Sequence, residues 1–136
     1  MLLSNLSQEA GGNWFESRCH MLILIADDEA KVRSALRLLL EQEEDLHVVG
    51  EAVDLQSLCS LADSFKPDLI LLDLELPGLQ PALHLLHLQK SIPSTRIIAL
   101  SGRTSRHEIP LRTGIDAFVS KGDPPERVLA AVYQSA

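Results

Sequence analysis

The chain has 136 residues, of which 46% are hydrophobic and 23% charged, and its formal net charge is −7. This length suits one globular domain with enough core to fold without a disulfide or a structural metal. An excess of acidic over basic residues, 19 to 12, argues against a domain that binds nucleic-acid phosphates or anionic lipids through a basic face. No apolar run approaches the roughly 18 residues of a membrane-spanning helix. Cys19 and Cys59 fit no zinc spacing or disulfide framework, so we expect a reduced, cytoplasmic protein.

The first 20 residues differ in character from the rest of the chain. They lack the basic start, the long apolar centre and the cleavage site of a secretory signal. Because they are polar, contain Gly11 and Gly12 and show little periodicity, we expect residues 1–20 to be a poorly ordered extension of a domain over 21–136. The sequence leaves open whether translation begins at Met1 or at Met21.

Beyond Met21, short apolar runs alternate with segments whose apolar residues recur at helical spacing. The runs predict strands, and continuous apolar runs of this kind are typical of strands buried on both faces. The strands are predicted at Met21–Ala26, Leu46–Val49, Leu69–Leu72, Ile97–Leu100 and Ala117–Ser120. Helices are predicted over Glu29–Gln42, Leu55–Phe65, Pro81–Lys90 and from an Asp123 N-cap followed by Pro124 to Gln134. This alternation predicts a three-layer α/β domain with a doubly wound parallel sheet.

The segment between the fourth and fifth strands contains Pro110, and its large apolar residues are only Ile109 and Leu111. A proline inside a helix removes one hydrogen bond and clashes with the preceding turn, at a cost of about 3 kcal/mol. We therefore expect the helix in this segment to be short or irregular. Cys59 lies near the apolar face of its helix and is predicted to be a core thiol, whereas His84 and His87 are predicted to lie on a solvated helix face.

Four of the five strands end in polar or charged residues, and parallel strands present their carboxyl ends at one edge of the sheet. The residues are Asp27 and Asp28, Asp73, Ser101 and Lys121. Each alone is a common turn, cap or surface residue. Together, three carboxylates would repel one another unless a cation lay among them, and Mg²⁺ is the cation that such oxygen ligands favour. A metal, a lysine, a hydroxyl and a nucleophilic carboxylate suit the transfer of a phosphoryl group.

From Met21 to Ala136 the chain resembles the receiver domain of two-component response regulators. The resemblance rests on four motifs at the strand ends, namely Asp27-Asp28-Glu29, Leu72-Asp73-Leu74-Glu75-Leu76-Pro77-Gly78, Ala99-Leu100-Ser101-Gly102 and Phe118-Val119-Ser120-Lys121. The chain is most similar to the NarL/FixJ branch, in which a LuxR-type DNA-binding domain follows the receiver. The resemblance implies a flavodoxin-like sheet with strand order 2-1-3-4-5.

The same resemblance implies a phospho-acceptor and a magnesium site. Asp73 would accept the phosphoryl group from a partner sensor histidine kinase. Asp28 and Asp73 would bind Mg²⁺ directly, together with the backbone carbonyl of Glu75. Asp27 would bind the ion through a water molecule.

The remaining implied roles concern the switch. Lys121 would pair with the acceptor carboxylate and later with the phosphoryl oxygens. Ser101 would move to hydrogen-bond the phosphoryl group, and Phe118 would change rotamer when it does. The implied face for a homodimer includes the segment that contains Pro110, so we expect dimerisation to be weak or altered.

The leading interpretation is a signalling module whose only chemistry is to accept a phosphoryl group and to hydrolyse the resulting acyl phosphate. We expect it to be the receiver of a longer transcription regulator and not to bind nucleic acid or membrane itself. One alternative is a standalone receiver that acts through protein contacts, with or without phosphorylation. Another is an Mg²⁺-dependent phosphatase with an aspartate nucleophile, which is disfavoured because position 75 is Glu and the chain has no room for a cap domain.

Overall fold

The computed structural model describes residues 20–102 and 114–135. Strands and helices alternate as predicted over residues 20–102, and a strand and a helix follow in residues 114–135. Two expectations fall outside the described residues: the state of the N-terminal extension and the form of the helix around Pro110. The elements are β1 (Met21–Ala26), α1 (Ala30–Glu41), β2 (Leu46–Ala52), α2 (Leu55–Phe65), β3 (Leu69–Asp73), α3 (Pro81–Ser91), β4 (Arg96–Ser101), β5 (Ala117–Ser120) and α4 (Glu126–Ser135).

The sheet has the order β2-β1-β3-β4-β5 and every pair of strands is parallel, which confirms the predicted flavodoxin-like topology. From β1 the chain moves outward to β2 and then returns to pair β3 on the other side of β1. Strand order therefore reverses between β1 and β3, and a crevice opens at their carboxyl ends. Asp27 follows β1 directly, and Asp73 is the last residue of β3, so both lie at this crevice.

Two hydrophobic cores cover the two faces of the sheet, because successive residues of a strand point to opposite faces. Ile23 and Ile25 pack with residues of α1 and α4, including Leu40 and Val132. Leu24 packs on the other face, with residues of α2 and α3. Each fully buried leucine or isoleucine contributes about 1.5–3 kcal/mol. The strand ends that carry the polar residues are therefore fixed by a core on each side.

The last helix begins later than the sequence predicts. Asp123 does not cap α4, since its carboxylate accepts a hydrogen bond from the backbone N–H of Ser120 at 3.3 Å. The N–H groups of Arg127 and Val128 donate to the carbonyls three residues back, on Pro124 and Pro125, at 2.9 and 3.0 Å. These tight bonds form a turn over the two prolines, and α4 starts after it at Glu126.

The prediction that Cys59 is a core thiol is wrong, because Cys59 is exposed. Helix α2 buries Leu58 and Ala62, which lie four positions apart on one stripe. Cys59 is one residue, or about 100°, away from that stripe. Phe65 also lies outside the core and is 45% exposed.

Gly114 occupies a backbone position that a larger residue would strain. Its φ is +88°, and a Cβ atom there would lie 2.9 Å from the carbonyl oxygen of Leu85. We expect Gly114→Ala to lower the free energy of unfolding by about 1–3 kcal/mol, as measured by urea denaturation. The matched control is Gly122→Ala, whose Cβ would lie 3.8 Å from the nearest atom, Ser120 Oγ. Equal loss of stability in both variants would contradict the prediction.

Candidate functional site

Two buried carboxylates face the crevice between β1 and β3. Asp27 is fully buried, and its Oδ1 accepts a hydrogen bond from the Glu29 backbone N–H at 2.9 Å. Asp73 is 1% exposed, and its Oδ1 accepts a hydrogen bond from the Glu75 backbone N–H at 2.9 Å. Each carboxylate thus closes a turn with the residue two positions ahead, as aspartates at the ends of strands often do. Asp28, beside Asp27, is exposed to solvent.

The ammonium group of Lys121 lies within ion-pair distance of both buried carboxylates. Its Nζ lies 2.7 Å from Asp27 Oδ2 and 3.3 Å from Asp73 Oδ2. Glu29 Oε1 lies farther away, at 3.7 Å. The backbone N–H of Lys121 donates to the carbonyl of Ser101 at 2.8 Å, which ties the loop after β5 to the end of β4. In this structure the nearer partner of Lys121 is therefore Asp27 and not Asp73.

Burial and charge act in opposite directions on these groups. The pKa of Asp73 is raised above its ordinary value, mainly because the carboxylate is buried. The hydrogen bond from the Glu75 N–H opposes this increase, and so does Lys121, whereas the negative charge of Asp27 adds to it. Burial lowers the pKa of Lys121, but its contacts with Asp27 and Asp73 outweigh this and raise the pKa above its ordinary value. The site therefore keeps its lysine charged while burial makes the ionised form of Asp73 costly.

The carboxylates can also hold a cation. Asp27, Asp28 and Asp73 each offer an oxygen, and these oxygens lie within 4.8 Å of one another. Asp27 Oδ2 is buried and accepts no well-directed hydrogen bond from the described residues, although Lys121 Nζ lies within ion-pair distance. Two of the three groups are buried, and all three supply the hard oxygen ligands that a divalent ion such as Mg²⁺ or Ca²⁺ prefers. The residues therefore fit a divalent metal.

The end of β4 carries the hydroxyl of Ser101, which is buried at the same edge of the sheet. Its Oγ donates to Glu75 Oε2 at 2.8 Å, and the N–H of Gly102 donates to Glu75 Oε1 at 3.3 Å. Sequence reasoning gave Glu75 a role only through its backbone carbonyl and missed these side-chain contacts. The available signal was that Glu75 lies two residues after Asp73, in the loop that follows β3, and that β3 is the neighbour of β4 in the sheet.

A second group missed by sequence reasoning supports the loop after β1. Arg33 on α1 donates to the backbone carbonyl of Asp27 at 2.9 Å and to Glu51 Oε1 at 2.9 Å. Arg37 also donates to Glu51, whose pKa is lowered by this hydrogen bond and by Arg33 in spite of partial burial. The helical spacing of Arg33 and Arg37 was the only sequence signal for this support.

Three further side chains that the sequence analysis named are Phe118, His84 and His87. Phe118, on β5, is half-buried and packs against the core that α2 and α3 cover. His84 Nδ1 accepts a hydrogen bond from the backbone N–H of Gln80 at 2.9 Å, so this histidine supports the first turn of α3. His87 is exposed.

The fold and this site define a class of protein, and comparison with known sequences identifies it. The family model for the response regulator receiver domain matches residues 23–133, and the chain belongs to this family. Its members are signalling proteins, and phosphorylation by a histidine kinase is their general mechanism.

Among the described residues, no helix is both long and apolar enough to cross a membrane.

The sequences and solved structures that this chain resembles include other response regulators. The nitrate/nitrite response regulator protein NarL of Escherichia coli K12 is 37% identical over 118 residues, which cover 84% of this chain and 54% of NarL. The isolated receiver of RcsB from Salmonella enterica, solved with the phosphomimetic BeF₃⁻, is 28% identical, with a TM-score of 0.74 and coverage of 85% and 89%. The receiver of the putative regulator NarL from Mycobacterium tuberculosis is 24% identical, with a TM-score of 0.77 and coverage of 85% and 95%, and it supports the fold. The chain spans about half the length of the curated relatives it matches.

Proposed function

We propose that this domain is a phospho-accepting receiver in which Asp73 takes a phosphoryl group from a partner sensor histidine kinase and thereby switches a downstream output. The observation that carries the proposal is the position of Lys121, whose ammonium contacts both Asp27 and Asp73 where strand order reverses. A buried carboxylate with a lysine beside it is suited to a reaction in which negative charge gathers on transferred oxygens.

In the proposed step, a carboxylate oxygen of Asp73 attacks the phosphorus of the phosphohistidine. A phosphorus–oxygen bond forms, the phosphorus–nitrogen bond breaks, and the imidazole leaves with a proton taken from solvent. Lys121 offsets the charge on the acceptor and then on the phosphoryl oxygens. Attack by water on phosphorus later releases inorganic phosphate and restores the Asp73 carboxylate, which resets the switch.

We further propose that the metal is Mg²⁺. Asp28, Asp73 and the carbonyl of Glu75 would bind it directly, and Asp27 would do so through water. When bound, the ion supplies positive charge to the phosphoryl oxygens. Ser101 would then donate its hydroxyl to the phosphoryl group, and Phe118 would turn inward as Ser101 moves.

The direct test of the proposed function is phosphorylation by a small donor. The protein is incubated with acetyl phosphate and Mg²⁺, and its intact mass is measured. We expect a gain of one phosphoryl group that hydroxylamine removes, because an acyl phosphate is cleaved by that nucleophile. No gain with Mg²⁺, or an equal gain with EDTA, would contradict the proposal.

The proposed metal should also stabilise the fold, because it relieves repulsion among the three carboxylates. We expect Mg²⁺ at many times its dissociation constant to raise the free energy of unfolding by about 1–3 kcal/mol. Asp28→Ala should remove most of this gain, whereas Asp63→Ala, at an exposed carboxylate on α2, should not. If millimolar Mg²⁺ does not change the midpoint temperature of thermal unfolding of the unchanged protein, the result would count against the metal site.

We propose, finally, that the full-length protein is a cytoplasmic transcription regulator with a DNA-binding domain after the receiver, and that it forms a homodimer. The proposal is supported by the NarL relative, of which the matched part is about half. It is also supported by RcsB, a 27% identical structure that was solved bound to a promoter in the presence of BeF₃⁻. Sequencing the parent gene beyond Ala136 tests it: a helix-turn-helix domain is expected, and an immediate stop codon would favour the standalone receiver.

A further inference from the structure

The carboxylate of Glu75 receives two donors from the end of β4. Ser101 Oγ donates to one oxygen at 2.8 Å, and the Gly102 N–H approaches the other at 3.3 Å. The backbone of Ser101 is paired with β5 through Ser120, and its carbonyl accepts from the Lys121 N–H at 2.8 Å. Because this backbone is held in the sheet, the Ser101 hydroxyl can change partner only by rotation of its side chain.

A serine hydroxyl has one proton and donates it to one acceptor at a time. In the structure that proton is directed to Glu75. We propose that Glu75 is a positioning residue that holds the Ser101 hydroxyl in its resting orientation, so that a phosphoryl group on Asp73 must compete with the Glu75 carboxylate for it. This inference rests on the proposed function, because it assumes that Ser101 serves the phosphoryl group.

Charge makes this competition sensitive to phosphorylation. A phosphoryl group brings about −1.5 to −2 charges and strong acceptor oxygens. Asp73 and Glu75 are already joined, since the Glu75 N–H donates to Asp73 Oδ1 at 2.9 Å. A new anion on Asp73 therefore both attracts the Ser101 proton and repels the nearby Glu75 carboxylate. The resting hydrogen bond opposes the switch until the anion arrives, and it sets how readily the switch occurs.

Removal of the Glu75 carboxylate should therefore tighten binding of a phosphoryl mimic. Hydrogen bonds to charged groups are strong enough that we expect Glu75→Ala to improve the apparent affinity for BeF₃⁻ by about 5- to 30-fold. Glu75→Gln, which retains one acceptor oxygen, should give a smaller gain. A competing explanation is that Glu75 repels any anion through its charge alone, without involving Ser101.

A double-mutant cycle separates the two explanations. BeF₃⁻ binding with excess Mg²⁺ is measured by calorimetry for the unchanged protein, Glu75→Ala, Ser101→Ala and the double variant. We expect the gain from Glu75→Ala to fall below about 2-fold in the Ser101→Ala background. An equal gain in both backgrounds, or no gain in either, would overturn the proposal. Glu126→Ala, at an exposed acid in α4, controls for the loss of one negative charge.

A second measurement does not depend on phosphorylation. Side-chain coupling constants from nuclear magnetic resonance report the rotamer of Ser101 in the protein without BeF₃⁻. We expect one dominant rotamer in the unchanged protein and a changed distribution of rotamers in Glu75→Ala. If the unchanged protein fails to bind BeF₃⁻ but this difference is seen, the proposed function fails and the positioning role of Glu75 stands. A single, unchanged rotamer in Glu75→Ala would overturn the positioning role.

Discussion

Asp73→Asn is expected to abolish phosphorylation by acetyl phosphate, while the unchanged protein gains one phosphoryl group. The amide keeps the size of the side chain and an oxygen that can accept from the Glu75 N–H, now at 2.9 Å from Oδ1. It loses the negative charge that makes the carboxylate a nucleophile. The expected result is therefore a folded protein without an acceptor, as measured by intact mass in Mg²⁺.

The control for this prediction is Asp63→Asn, the same change at an exposed aspartate on α2, which should be labelled like the unchanged protein. Circular dichroism of each variant would establish that loss of labelling is not loss of fold. Labelling of Asp73→Asn at the unchanged level would refute the assignment. If Asp73→Asn is partly labelled at another carboxylate, peptide mass mapping would locate the labelled residue. Asp73 would then remain the main acceptor only if the rate of labelling of Asp73→Asn were severalfold lower than that of the unchanged protein.

Lys121→Met is expected to lower the free energy of unfolding by about 2–4 kcal/mol at neutral pH in EDTA. The side chain is 21% exposed and contacts Asp27 and Asp73, which are almost completely buried. Without the ammonium, two ionised carboxylates would remain close together and away from water. The estimate is below the full cost of a broken buried ion pair, because the lysine is partly solvated.

The loss should be smaller in acid, and the sign follows from the pKa of Asp73. Burial raises the pKa of Asp73 in the folded protein. The stability linked to protonation of Asp73 is therefore fully present at a pH below the ordinary pKa of an aspartate, and it is lost as the pH rises through the pKa of Asp73 in the folded protein. Loss of Lys121 raises the pKa of Asp73 in the folded protein further, because Lys121 lowers it. The loss of stability caused by Lys121→Met is therefore larger at neutral pH than in acid. Urea denaturation at pH 7 and pH 4.5 measures both effects.

Two variants make the Lys121 prediction specific. Asp27→Asn in the Lys121→Met background should recover much of the stability, because it removes one of the two charges left unpaired. Lys90→Met, at an exposed lysine in the last turn of α3, should change the free energy of unfolding by less than about 0.5 kcal/mol. A loss below that limit for Lys121→Met would mean that the ammonium contributes nothing to the resting fold.

The architecture and the location of the site were predictable from the sequence because their signals are local. Strands buried on both faces appear as continuous apolar runs, as in Met21–Ala26 and Leu69–Leu72, and the helices between them impose parallel crossovers. Once the strands are parallel, residues at their carboxyl ends must meet at one edge. The meeting of Asp27, Asp73 and Lys121 followed from their places after the strands, without any knowledge of side-chain conformation.

The boundaries of elements were less predictable, because they depend on individual hydrogen bonds. The sequence Asp123-Pro124 has the composition of a helix start, yet the carboxylate of Asp123 turns back to the Ser120 N–H. Cys59 and Phe65 are apolar or nearly so, but the rotation of α2 on the sheet directs Leu58 and Ala62 inward instead. That rotation is decided by packing against β1 and β2 and not by the helix alone.

The sequence by itself determined the parallel sheet, its five strands and the set of residues at its functional edge, because these depend on patterns within a few residues of each other. Only the tertiary structure decided how those residues pair. Lys121 lies nearer to Asp27 than to Asp73, and Ser101 donates to Glu75, 26 positions away. Such pairings are set by the rotamers of side chains on different strands, whose alternatives differ by only one hydrogen bond or ion pair. Local sequence does not encode that choice, because the competing partners meet only when the sheet has formed.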